Sequence, residues 1–315
     1  MRHAAFALVL VFAGLPDGAL AQAVLANATE GAPLTLTNAV CDTPMAVAYD
    51  PTFDRYYGAA GGSASCAMFV FSSAGTQLSS ATIGVDQRGA YYNPATAAVE
   101  VVSFDANTGS GANVGIQKVD LDGSGNLLGT NTQLLAAPIA ALGFDQTMPS
   151  FNPGANLLYA KQSGSTTINV VNRTTGASAG TITLALPGGV VVGDLNANGI
   201  GFTGVAGAEL AIYDATHHQV LVYNLAGTLV GTSLLPAIAS VFNNQVFGTA
   251  YANGFMFVWD DNSGAFGAWR RFTIFGAAPP AGPTSVPTLS PASLAFLVGT
   301  LVIAAFVFLR RKRMR

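Results

Sequence analysis

Charge is what this sequence has least of. Only 9% of its 315 residues are Asp, Glu, Lys or Arg, against roughly 25% in an average soluble domain. Half of the residues are hydrophobic, which excludes a disordered chain, whose signature is low hydrophobicity with high net charge. Nucleic-acid binding is excluded as well. Of the 13 basic residues one lies at the N-terminus and five crowd the C-terminus, leaving seven among 15 of the 16 acids, so no basic stripe can form in between. Histidine is nearly as scarce, and two of the three are adjacent at His217 and His218. Neighbours in a strand point to opposite faces, so this pair reads as surface or turn residues and not as one chelating or basic site. No nucleophile elbow, phosphate loop, dinucleotide fingerprint or zinc motif occurs.

Long apolar runs are confined to the two ends. Met1, Arg2 and His3 are followed by an uncharged run from Ala4 to Leu15, a Pro16-Asp17-Gly18 break and the small-x-small site Ala19-Leu20-Ala21. That pattern predicts a secretory signal peptide over residues 1–21, cleaved after Ala21. At the far end Ala292 to Leu309 carries no charge. As a helix this segment would just cross a hydrocarbon core of about 30 Å. The basic tail over 310–315 follows at once and belongs on the cytoplasmic side. Both ends therefore predict an ectodomain outside the cytoplasmic membrane, anchored in the lipid bilayer. The only cysteines, Cys41 and Cys66, fall in the exported part. Thiols oxidise there, so a single disulfide is expected, worth about 3 kcal/mol in the chain-entropy model.

The ectodomain, residues 22–275, is joined to the apolar segment by a Gly/Ala/Pro linker over 276–291 that contains Val286, Pro287, Thr288, Leu289 and Ser290. A short Pro-containing motif, an apolar helix and an Arg cluster in this order resemble the IPTL-CTERM sorting signal of Gram-negative bacteria, related to the PEP-CTERM signals. Val286 stands where Ile is usual, and Pro291-Ala292-Ser293 stands where a Trp is often found. The resemblance covers about the last thirty residues and implies an exosortase-type membrane protease as partner. Pro287 would hold the motif extended and out of the helix. A plain single-pass anchor is the other reading.

Between the ends the chain repeats. Ala67–Phe71 with Gly75, Gly115–Leu121 with Gly125, Thr167–Val171 with Gly176, Gln219–Tyr223 with Gly227 and Gly254–Trp259 with Gly264 are β-rich runs followed by turn glycines, spaced 50, 51, 51 and 37 residues apart. A period near 50 built of short strands predicts an all-β chain forming one β-propeller of about five blades. The same hairpins would also build a six-bladed ring or a pair of β-sandwiches. Tyr49-Asp50-Pro51, Tyr92-Asn93-Pro94 and Phe151-Asn152-Pro153 recur upstream of the first three runs, as turns in which the Asx side chain bonds the backbone. This looks like the repeat of NHL-type and YVTN-type propellers. The short last interval lacks one strand. Pro33 to Val40, which alternates apolar and polar, is expected to supply it and close the ring.

Candidate chemistry is sparse. Asp194, Asn196, Asn198 and Gly199 match the opening of a calcium loop, but Val205 stands where its bidentate Glu belongs. An inter-strand turn is the competing reading. Asp120 and Asp122 sit in a similar segment where a turn is already required, and Asp50 and Asp145 cannot be told from turn residues. No catalytic residue and no cofactor beyond this weak calcium possibility is expected. The composition favours a binding or structural module of the envelope, with loops at one mouth of the ring contacting glycan or protein. The alternative is a metal-dependent propeller hydrolase or lactonase, which needs Asp, Asn, Glu or His side chains converging at the central channel.

Overall fold

A computed structural model describes residues 22–39, 41, 43–103, 115–136, 139–143, 146–238 and 242–277. Residues 1–21, where a signal peptide is expected, Asp145, Val286–Ser290, and residues 292–309 and 310–315 lie outside the described residues. Among the described residues no helix is long and apolar enough to cross a membrane.

The fold is all-β and propeller-like. After an N-terminal strand β1 (Val24–Thr35) come four antiparallel units, each with four strands in chain order. They are β2 to β5 (Thr43–Asp50, Arg55–Gly61, Ala67–Ser72, Gln77–Thr82), and β6 to β9 (Gln87–Asn93, Ala98–Ser103, Gly115–Leu121, Leu127–Leu135). Next are β10 to β13 (Ser150–Asn152, Leu157–Lys161, Thr167–Asn172, Ser178–Thr183), and β14 to β17 (Gly201–Phe202, Leu210–Asp214, Gln219–Tyr223, Leu229–Leu234). A short helix α1 (Phe242–Val246) precedes β18 to β20 (Thr249–Ala252, Phe255–Asp260, Ala268–Phe275), and β1 adds the fourth strand of this last unit. Contacts between the innermost strands run in a cycle: β2 on β6, β6 on β10, β10 on β14, β14 on β18, and β18 on β2.

The N-terminal strand closes the last unit, as expected, but over other residues. It pairs antiparallel with β20 from Val24 opposite Phe275 to Thr35 opposite Ala268. Pro33 to Thr35 lie in the strand and Leu36 N–H still bonds the Gly267 carbonyl, whereas residues 37–39 lie outside the strand and Val40 falls outside the described residues. The outer position explains why alternation failed to mark Val24–Ala32: much of this stretch is exposed or half-buried on both faces. β1 also touches β17 in parallel, Asn27 opposite Leu234, which joins the fourth and fifth units into one eight-stranded sheet.

The glycine spacing needs a correction at its end. Gly75, Gly125, Gly176 and Gly227 occupy the turn between the third and fourth strands of their units, whereas Gly264 lies between the second and third strands of the last. The final interval is short because it compares different turns. Four of these glycines are fixed by their neighbours as well as by turn geometry. Gly227 has φ +78, and a Cβ there would lie 2.0 Å from the Thr183 carbonyl oxygen of the preceding unit; at Gly75 it would lie 2.2 Å from that of Pro33 in β1.

Middle strands carry unbroken apolar runs (Met68–Phe71, Ile212–Tyr213, Val220–Tyr223, Met256–Trp259) because neighbouring units cover both of their faces. Outer strands such as β13 are exposed and rich in Ser and Thr. The core consequently lies between units. Trp269 meets Trp259 at 4.8 Å and Phe71 of the first unit at 6.2 Å, ring centre to ring centre. Tyr91 packs on Phe151 across the next interface but one, at 4.7 Å.

The Cys41–Cys66 disulfide is formed, with Cα atoms 5.3 Å apart. It ties the segment leading into β2 to the residue before β4, the third strand of that unit.

Candidate functional site

The inner strands end alike. Tyr49, Tyr92 and Phe151 are each followed by an Asx residue whose side-chain oxygen accepts a backbone N–H of the turn: Asp50 from Thr52 (2.8 Å), Asn93 from Ala95 (3.1 Å) and Asn152 from Ala155 (3.2 Å). The last turn residues, Asp54, Ala97 and Asn156, share φ near +50°. The recurring phrase is thus one turn built three times. The fourth and fifth units keep the aromatic and change the turn. Phe202 ends β14 before a longer loop, and Tyr251 in β18 precedes Asn253-Gly254, a two-residue turn with φ +50 and +79, the primed geometry that suits twisted hairpins.

These five aromatics line one central cavity of about 150 Å³, together with Ala46, Ala90, Met148, Ser150, Thr249, Asn253 and other inner-strand residues. No Asp, Glu, Lys, Arg, His or Cys is among the lining residues. Polar character comes from neutral groups only. Tyr49 Oη donates to Asp54 Oδ1 at 2.7 Å, and that bond, with burial, pushes its phenol pKa up to about 12. Asp54, which also accepts from Ser73 Oγ at 2.6 Å, is correspondingly held low. Tyr92 Oη lies 3.4 Å from Thr52 Oγ1, and Asn253 donates to Tyr56 Oη at 2.8 Å.

The opposite ends of the inner strands are polar and buried. Arg88 at the start of β6 pairs with Asp86 at 3.1 Å and lies 5.9 Å over the Phe247 ring. The calcium-loop candidates fall in this region, where they hold the turn together. Asn196, fully buried, donates to the Asn244 and Phe247 carbonyls at 2.7 Å each and accepts from Asn198 N–H (3.2 Å) and Gly199 N–H (2.6 Å). Asp194 accepts from Val191 N–H at 2.8 Å, which lowers its pKa. Asn198 is buried with no hydrogen-bond partner at Oδ1. Among the described residues no three His, Cys, Asp or Glu side chains form a group able to hold a metal ion. Asp120 accepts from Thr130 and Thr132, and Asp122 caps its own turn through Ser124 and Asn126. Asp50 is the turn residue described above. His217 and His218 occupy the β15–β16 turn, His217 against buried Asp214 (Nδ1 to Oδ2 2.9 Å) and His218 against Tyr213 Oη (3.2 Å).

Glu100 and Lys161 are among the buried charges that the sequence did not reveal. Glu100, with no exposure, takes a two-bond contact from Arg173 of the next unit at 2.9 and 2.5 Å. Lys161 is fully buried, donates among the described residues to the Gln162 and Ala197 carbonyls (3.3 and 3.0 Å), and burial lowers its pKa to about 8. A Lys after Leu-Leu-Tyr-Ala at a strand end was the available signal.

No protein-family model matches the chain, and no curated protein matches it. Among solved structures it is similar to the glutaminyl cyclase of Myxococcus xanthus, with 15% identity, a TM-score of 0.48, and coverage of 80% of this chain and 97% of that one. It is also similar to the hydrazine synthase of Kuenenia stuttgartiensis, with 12% identity, a TM-score of 0.41, and coverage of 75% and 84%.

Proposed function

We propose that the protein is an exported five-bladed propeller that works as a binding module of the cell envelope, with its ligand seated in the central cavity. The observation that carries this reading is the cavity wall: at least one aromatic from the inner strand of every unit, and no ionisable side chain beyond tyrosine. A metal-dependent hydrolase needs acids or imidazoles converging on the channel, and the described acids instead serve turns and inter-unit contacts. The disulfide agrees with an oxidising compartment. Location follows from the ends of the chain: the signal peptide over 1–21 delivers the ectodomain, the segment 292–309 holds it in the bilayer, and Val286–Ser290 directs processing by an exosortase-type protease.

The test is retention of the full-length protein on isolated envelope fragments. Saturable retention is expected, and Ala250→Phe, which fills the cavity, should abolish it while leaving the melting temperature within a few degrees. Equal retention of both forms would remove the cavity from the function.

A further inference from the structure

The cavity wall also restricts the chemistry of its occupant, and we infer that the site takes a single neutral, hydroxyl-rich ring, such as one pyranose unit of a glycan. This rests on the binding reading above and deepens it. A cavity of about 150 Å³, the size that holds one benzene ring, has no room for more than a single sugar ring. Because the described lining offers no counter-charge, an ionic ligand would lose its hydration without compensation. Charged sugars, phosphates and carboxylates are therefore disfavoured.

The wall presents two kinds of surface, and a sugar ring uses both. Tyr49, Tyr92, Phe202 and Tyr251 are half-buried, so part of each residue remains accessible. Aromatic faces of this kind pack against the C–H faces of a pyranose. Between them stand neutral hydrogen-bonding groups. Tyr49 Oη spends its proton on Asp54 and keeps acceptor capacity, and Asn253 spends an amide N–H on Tyr56 and keeps its amide oxygen. Thr249, buried on the same wall, and Ser150, whose Oγ accepts from Phe202 N–H at 2.7 Å and keeps its own proton, add hydroxyl groups. A purely apolar ring would satisfy the aromatics and leave these groups unpaired.

The decisive experiment is saturation-transfer NMR on the full-length protein in a non-glycosidic detergent. The probes are glucose, galactose, mannose and N-acetylglucosamine, with glucuronic acid and phenol as contrasts. At least one neutral hexopyranose should bind saturably and release the protein from envelope fragments, and glucuronic acid should bind at least about tenfold more weakly. Tyr92→Leu should weaken the sugar by about tenfold and Tyr92→Phe by much less. The inference fails if no neutral sugar binds, if glucuronic acid or phenol binds as well, or if Tyr92→Leu binds like the parent at unchanged melting temperature. Envelope retention that Ala250→Phe abolishes but free sugars never compete would leave the binding module standing and overturn only its assigned ligand.

Discussion

Glu30 and Arg270, 240 residues apart, meet in a two-bond ion pair with both distances at 2.7 Å. Arg270 also reaches Asp260 Oδ2 at 3.1 Å and the Ala237 carbonyl at 3.0 Å. One guanidinium thus links the N-terminal strand to the unit that the C-terminal strands begin. Glu30 is well exposed, so Glu30→Ala is expected to cost no more than about 1 kcal/mol. Arg270→Ala leaves Asp260 buried without its cation and should cost about 3 kcal/mol. Removing Val24–Thr35 altogether should expose β20 and β17 as open edges and give oligomers on size exclusion. Urea midpoints that rank the two point variants the other way would dismiss the clasp.

The disulfide gives a second expectation. Denatured, unreduced protein should take up no alkylating reagent at Cys41 or Cys66, and the double Cys→Ser variant should lose about 3 kcal/mol in chemical denaturation. Two labelled thiols per chain would contradict the structure.

Gly227 and Gly164 separate backbone strain from crowding. Both have positive φ, but a Cβ at Gly164 meets nothing within 4 Å, whereas at Gly227 it strikes the Thr183 carbonyl. Gly164→Ala should cost about 1 kcal/mol, and Gly227→Ala at least about 3 kcal/mol, because a neighbouring unit must move. Matching losses would mean that the units are not held this close.

Lys161 opposes folding while it is charged. The unfolded chain keeps the lysine proton up to about pH 10.5, and the folded chain releases it near pH 8; stability therefore rises with pH across that window. Above it the tyrosines act in the other direction. Tyr223 and Tyr251, both raised to about 12 by burial, ionise first in the unfolded chain, and stability falls. Lys161→Met should stabilise the protein by on the order of 3 kcal/mol at pH 7, with the difference shrinking to nothing near pH 10.5. A difference independent of pH would show that the amine is not buried in its charged form.

The proposed sorting signal has its own readout. Replacing Pro287 and Thr288 with Ala should leave a membrane-bound precursor that retains Arg310–Arg315, whereas the parent loses them. An intact C-terminal peptide through Arg315 in the mature parent, seen by mass spectrometry, would reduce the segment to an anchor.

Local patterns made the strands, the period and the turns readable. An Asx residue ahead of Pro bonds its own turn whatever lies around it, and Asp50, Asn93 and Asn152 do so. The last unit does lack one strand of its own, but the short glycine interval that suggested this compares different turns. The true residues of that strand were not readable: an outer strand with one weakly covered face imposes no alternation on Val24–Ala32. The cavity was hidden for a related reason. Phe202 and Tyr251 precede turns of different sequence from those after Tyr49, Tyr92 and Phe151, and only the cyclic packing of five inner strands places all five on one wall. Glu100 with Arg173, and Lys161 with Ala197, are matched across units that share no local sequence relation. The sequence by itself determined which segments are strands and how they turn, since those are contacts between near neighbours. Tertiary structure alone decided which buried charges meet and what the central cavity can hold, since these depend on groups brought together from distant parts of the chain.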